Sequence, residues 1–76
     1  MEMNLDKLEN GLKAVVTQIS APEPLRSRLR AFGLVVGTTV CPCYRSPDGG
    51  VTALQLRGTV IAIRTRELRK IRVRLL

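Results

Sequence analysis

Apolar positions recur along this chain with two different periods, and each change of period marks an element. Over residues 12–19 the spacing is close to two and rich in Val and Ile, which predicts a strand. Ala14, Val16 and Ile19 are its inward candidates, and the three-residue step from Val16 to Ile19 predicts a bulge near Thr17-Gln18. Leu25, Leu29 and Phe32 then fall at i, i+4 and i+7, one face of a helix of two to three turns with all three buried. Ser20, Pro22 and Pro24, which precede this face, suit cap and first-turn positions. Gly33 supplies a left-handed stop, and Leu34 beyond it is placed to pack back on the last turn.

From Gly37 the period returns to two. Residues 38–44 read as a second strand, with Val40, Pro42 and Tyr44 on one face and Cys41 and Cys43 on the other. Pro42 lacks an N–H, so this strand lies at an edge or bulges there. Ser46-Pro47-Asp48-Gly49-Gly50 is a turn, followed by a third strand on Thr52, Leu54 and Leu56. Gly58-Thr59 turns the chain into a fourth strand carrying Ile61 and Ile63. Thr65 caps a single helical or 3₁₀ turn, and Ile71, Val73 and Leu75 alternate with Arg72 and Arg74 on a fifth. At the start, Leu5 and Leu8 are apolar anchors in a polar lead-in that ends at an Asn10-Gly11 turn. The prediction is an all-β fold: a small closed five-stranded barrel with one short helix between strands one and two.

Length and composition narrow this without changing it. The chain has 76 residues and 45% apolar content, enough for one domain over residues 1–76 and one thin core. No apolar run reaches the roughly 18 residues of a membrane span, and the polar start does not read as a secretory signal. A soluble, cytoplasmic protein is expected. Cys41 and Cys43, two apart on a strand, are too far apart to bridge each other.

The order of elements and residues resembles the FeoA family of small SH3-like barrels associated with bacterial ferrous iron uptake. The resemblance is carried by Leu8 with Gly11; Ala14, Val16 and Ile19; Arg28-Leu29; Phe32-Gly33-Leu34; and Gly37 with Val40. It continues in Pro47 with Gly49, Ile61-Ala62-Ile63-Arg64, Leu68, Ile71 and Val73. These are mostly fold residues, and Asp48-Gly49-Gly50-Val51 departs from the family's commoner Gly-Asp-Pro turn. The resemblance implies an accessory or regulatory protein that binds the cytoplasmic side of FeoB, a membrane GTPase and Fe²⁺ transporter. It also implies that iron handling belongs to that partner.

Charge changes the picture more than composition does. The net charge is +7, and from residue 26 onward ten Arg and Lys70 face only Asp48 and Glu67. Arginine favours planar contacts to carboxylates and phosphates, so an acidic protein face or an anionic membrane surface fits. Nucleic acid fits less well. Arg57, Arg64, Arg69, Arg72 and Arg74 could meet phosphates, but Tyr44 alone would be left for base stacking. The candidate partner-binding residues are Arg26 and Arg30, four apart on one helical stripe, Leu34 and Val35 in the apolar Leu34-Val35-Val36 run, and Arg64 and Arg66. Either of the last two could be offered to a GTPase in trans.

No catalytic constellation is present: the chain has no His, no paired carboxylates on one face and no nucleophile beside a base. No enzyme activity and no cofactor are expected. Cys41 and Cys43 are weak metal candidates, since a closed zinc site needs four ligands and two chains would have to pool their thiolates as a dimer. The alternatives to the transport reading are therefore a nucleic-acid-binding module and a Cys-mediated metal-binding dimer.

Overall fold

Six strands form, one more than the pattern predicts. The computed structural model describes residues 1–76. The chain runs through β1 (Glu2–Asn4), a 3₁₀ turn (Leu5–Lys7), β2 (Ala14–Ile19), α1 (Leu25–Ala31), β3 (Thr39–Arg45), β4 (Val51–Leu56) and β5 (Thr59–Arg64). A second 3₁₀ turn (Thr65–Lys70) leads into β6 (Ile71–Leu75). The extra strand is β1, which is too short and polar to show an alternation. It exists because β6 offers it a ladder, with Met3 opposite Val73 and Asn4 opposite Arg72.

The strand order is β1-β6-β2-β3-β4-β5, with every pair antiparallel. The sheet wraps one core but does not close, because β1 and β5 do not pair. The second 3₁₀ turn continues directly from the end of β5 and also approaches β1. The core holds Leu5, Leu8, Ala14, Val16, Leu29, Leu34, Val40, Leu54, Leu56, Ile63, Leu68, Ile71 and Val73. Both apolar anchors of the lead-in are therefore buried. Half-buried Arg45 holds that segment in place: its Nη2 donates to the carbonyls of Leu8 at 2.8 Å and Asp6 at 3.3 Å.

The bulges fall at the two strained points of the pattern. Pairing of β2 with β6 shifts between Val16 and Gln18, which leaves Ile19 half-buried against the core. Pairing of β3 with β4 shifts between Pro42 and Tyr44. The extra residue there is Cys43, and it reverses the faces beyond it. Tyr44 is exposed, contrary to the expected alternation, while Arg45 turns in opposite buried Thr52.

Three local expectations need correcting. The β4–β5 turn is Arg57-Gly58, both at positive φ, one residue earlier than predicted. Thr65 does not cap its 3₁₀ turn; its Oγ1 lies 2.8 Å from Thr52 Oγ1 instead. Ser20 does not cap α1 either. Pro24 stands at the N-cap, and Glu23 just before it accepts from the Ser27 N–H at 2.9 Å and the Ser27 hydroxyl at 2.7 Å.

The C-terminal end of α1 follows the Gly33 signal closely. Gly33 has φ +86° and its N–H donates to Arg30 O, while the Leu34 N–H reaches back to Leu29 O at 3.0 Å. This pair of bonds satisfies orphan carbonyls and seats Leu34 on Leu29, both fully buried. Leu34 thereby takes the core place expected of Phe32, which is 42% exposed.

Candidate functional site

At the exit of α1, exposed apolar surface lies beside cations that make no salt bridge. After Leu34 the chain must climb out of the core to reach β3, and Thr38 fixes how it does so. The buried Thr38 hydroxyl donates to Gly33 O at 2.8 Å and accepts from the Val35 N–H at 3.3 Å. Backbone bonds from Gly37 N–H to Val16 O and from Val16 N–H to Thr38 O lock the same loop onto β2. Held by these bonds, the loop displays Val35 half-buried and Val36 62% exposed.

Beside it, the Arg26 and Arg30 side chains stand on one face of α1, and the end of β2 contributes Ile19. These residues and Leu34 line a groove of about 130 Å³. Small-molecule sites usually enclose roughly 300 Å³ or more, so this groove suits one or two side chains of a partner. Neither arginine is in a salt bridge. The adjacent Glu23 carboxyl is held below the usual carboxylate range, first by the Ser27 hydroxyl and N–H and then by Arg30 and Arg26.

Four of the six predicted partner-binding residues, Arg26, Arg30, Leu34 and Val35, therefore come together here. Leu34 lines the groove from below but has no exposed surface, which corrects its assignment as a contact residue. Its neighbour Val36 holds that place, because the turn after Gly33 points one apolar residue in and another out. Ile19 is the residue the pattern did not flag as functional. Its only signal was the broken alternation at the bulge.

Arg64 and Arg66 are not part of this groove. They flank a second depression with Asp48, Gly50 and Val51, and neither has an acidic partner. Asp48 is occupied within its own turn. It accepts from the Ser46 hydroxyl at 2.6 Å and the Gly50 N–H at 2.9 Å, and these bonds hold its carboxyl below the usual range.

Other cations are already committed to the fold. Arg28 makes a two-pronged contact with Glu67 at 2.9 and 3.1 Å, tying α1 to the second 3₁₀ turn. Arg69 lies 3.7 Å from Asp6, and Arg72 lies 3.9 Å from Glu2 and donates to Asn4. Two of the five arginines considered for phosphate contacts are thus paired.

The cysteines are not drawn into a site. The Cys41 thiol donates to Pro42 O and the Cys43 thiol to Ala53 O, and the bulge breaks the alternation that placed them side by side. No three His, Cys, Asp or Glu side chains cluster anywhere in the chain. No helix is long and apolar enough to cross a membrane.

Comparison with known proteins agrees with this fold throughout its length. The FeoA domain family profile matches residues 3–75. A Campylobacter jejuni protein classed as Fe(2+) transport protein A is 26% identical over 97% of this chain and 100% of its own length. The solution structure of a FeoA protein from Chlorobium tepidum superposes with TM-score 0.92 at 31% identity, over 97% of this chain and 70% of that one. The crystal structure of a zinc-complexed FeoA from Stenotrophomonas maltophilia, described as a prokaryotic SH3-domain protein, gives TM-score 0.80 at 30% identity. It covers 95% of this chain and 89% of that one.

Proposed function

The chain belongs to the FeoA family, and from that premise we propose that it is an accessory protein of ferrous iron transport that docks on a FeoB-type GTPase-transporter. One observation supports this most directly: an exposed apolar spot at Val36 and Val35, on a hydrogen-bonded loop, beside two arginines that make no salt bridge. A small apolar centre edged by arginine has the chemistry of a protein interface. The partner surface complementary to it carries an apolar side chain for the groove and carboxylates for Arg26 and Arg30.

Docking beside a membrane protein on the cytoplasmic face would bring the +7 chain close to anionic headgroups. Each basic residue near that surface adds about 1 kcal/mol. Nothing in the site supplies a catalytic group or a set of metal ligands, so its role in this reading is binding and regulation.

The test pairs uptake with capture. Cells lacking the protein should take up Fe²⁺ more slowly at limiting iron, and the protein should co-purify with the transporter from solubilised membranes. Val36→Asp should keep the fold and lose the co-purification. Unchanged uptake in the deletion, or full retention by folded Val36→Asp, would overturn the proposal.

A further inference from the structure

β5 is an edge strand with a row of unused main-chain groups. All six of its residues pair with β4, from Thr59 opposite Leu56 to Arg64 opposite Val51. The two-residue Arg57-Gly58 turn makes Leu56 and Thr59 a hydrogen-bonded pair. The Thr65 N–H continues the same phase, donating to Gly50 O at 2.9 Å. Thr59, Ile61 and Ile63 therefore point their N–H and C=O groups at β4. Val60 and Ala62 point theirs away, and no turn, loop or cap bond meets them, while Arg64 points its N–H away and gives its C=O to the start of the second 3₁₀ turn.

Proteins usually blunt such an edge with a bulge, a proline, an inward charge or a covering element. Between Val60 and Ile63 β5 has no bulge, proline or charge. Val60 is 55% exposed and Ala62 is exposed, so the outer face of the strand is not covered. Both ends of the strand are cationic: Arg57 precedes it, Arg64 ends it and Arg66 follows, none in a salt bridge.

We propose that the free edge of β5 accepts an extended segment of another protein as an added strand, one with small apolar residues at its centre and acidic residues at both ends. Main-chain bonds at Val60 and Ala62 would hold the segment, and the terminal arginines would select its charge. A span of six residues covers about 20 Å, which sets the spacing of the two acidic ends. A second copy of this chain is disfavoured on charge. Two-fold antiparallel pairing of β5 about Ile61 would set Arg64 of one copy beside Gly58 and Arg57 of the other, cation against cation. This inference does not depend on the transporter reading and concerns a surface separate from the Arg26–Arg30 groove.

The experiment titrates the ¹⁵N-labelled chain with a short capped peptide in which Val and Thr alternate between acidic ends. A control peptide carries lysine at both ends. Amide shifts centred on Val60, Ala62 and Arg64 are expected with the acidic peptide only. Ala62→Pro removes an outward N–H while leaving the β4 ladder intact, and should weaken binding about tenfold. Should that variant not fold, Arg64→Glu on the exposed surface should give a loss of similar size. Shifts that are absent up to millimolar peptide, that centre on Val35 and Val36, or that are insensitive to Arg64→Glu would overturn the proposal. So would a concentration-dependent dimer formed through Val60 and Ala62. A negative result here leaves uptake and co-purification unaffected, so the two proposals fail separately.

Discussion

Gly33 combines two constraints that no other residue meets. Its φ of +86° is in the left-handed region, and a Cβ there would lie 2.9 Å from the Arg57 Cδ. Gly33→Ala should therefore destabilise the protein by about 1–2 kcal/mol from backbone strain alone, measurable by urea unfolding. Arg57 is the far end of a flexible side chain and can move aside, so the clash adds little. Thr38 is the second point of control. Replacing it with Val leaves the Val35 N–H and Gly33 carbonyl without their partner, at an expected cost of about 1–3 kcal/mol. Because those two bonds shape the Leu34–Val36 loop, amide shifts in Thr38→Val should concentrate there while the β4–β5 hairpin stays unchanged. The glycine was legible from its place after an apolar helical face. The threonine was not, because its partners are fixed only once the loop has folded over it.

At the scale of the element, α1 is a short helix whose ends matter more than its propensity. A carboxylate just before its N-cap ties down the first turn: Glu23 accepts from Ser27, and those bonds hold its pKa below the ordinary glutamate value of 4.5. A carboxyl whose folded pKa is depressed contributes stability that is present above the unfolded value and lost as pH falls through the folded one. The stability gap between the native chain and Glu23→Ala should thus be full at pH 7. It should begin to narrow as pH drops below 4.5 and shrink further through the folded pKa, as followed by thermal unfolding at several pH values. The sequence placed this helix and its stop correctly but not its cap. Pro22 and Pro24 drew attention to the first turn, whereas the oxygen that ties it down belongs to the residue between them. The same limit applies to β1, since three polar residues show no period and form a strand only because β6 is there to pair with.

For the whole molecule, the division between core and surface separates Leu34 from Val36, two apolar positions of one short run that look alike in sequence. Leu34→Asp would bury a charge in a fully enclosed site and should leave the chain unfolded, as seen by loss of amide dispersion. Val36→Asp, two residues on, should fold with a stability change within about 0.5 kcal/mol, because its side chain is mostly in water. The contrast separates damage to the fold from damage to the docking surface. It also explains why Arg26, Arg30, Arg64 and Arg66 could be named as candidates but not grouped. Helical spacing joins Arg26 to Arg30, whereas only the course of β5 and the second 3₁₀ turn sets Arg64 and Arg66 beside Asp48.

The sequence alone determined the elements and most of the core, because alternation, helical spacing and glycine or proline punctuation are local and act within a few residues. It also determined the cationic excess and the absence of histidine, which need only residue identities. Tertiary structure decided that the sheet stays open, that β1 exists, that Leu34 displaces Phe32 from the core, and that β5 keeps an uncovered edge. Each of these depends on which distant segment arrives beside a given residue, and a one-dimensional pattern does not encode that competition for space and hydrogen bonds.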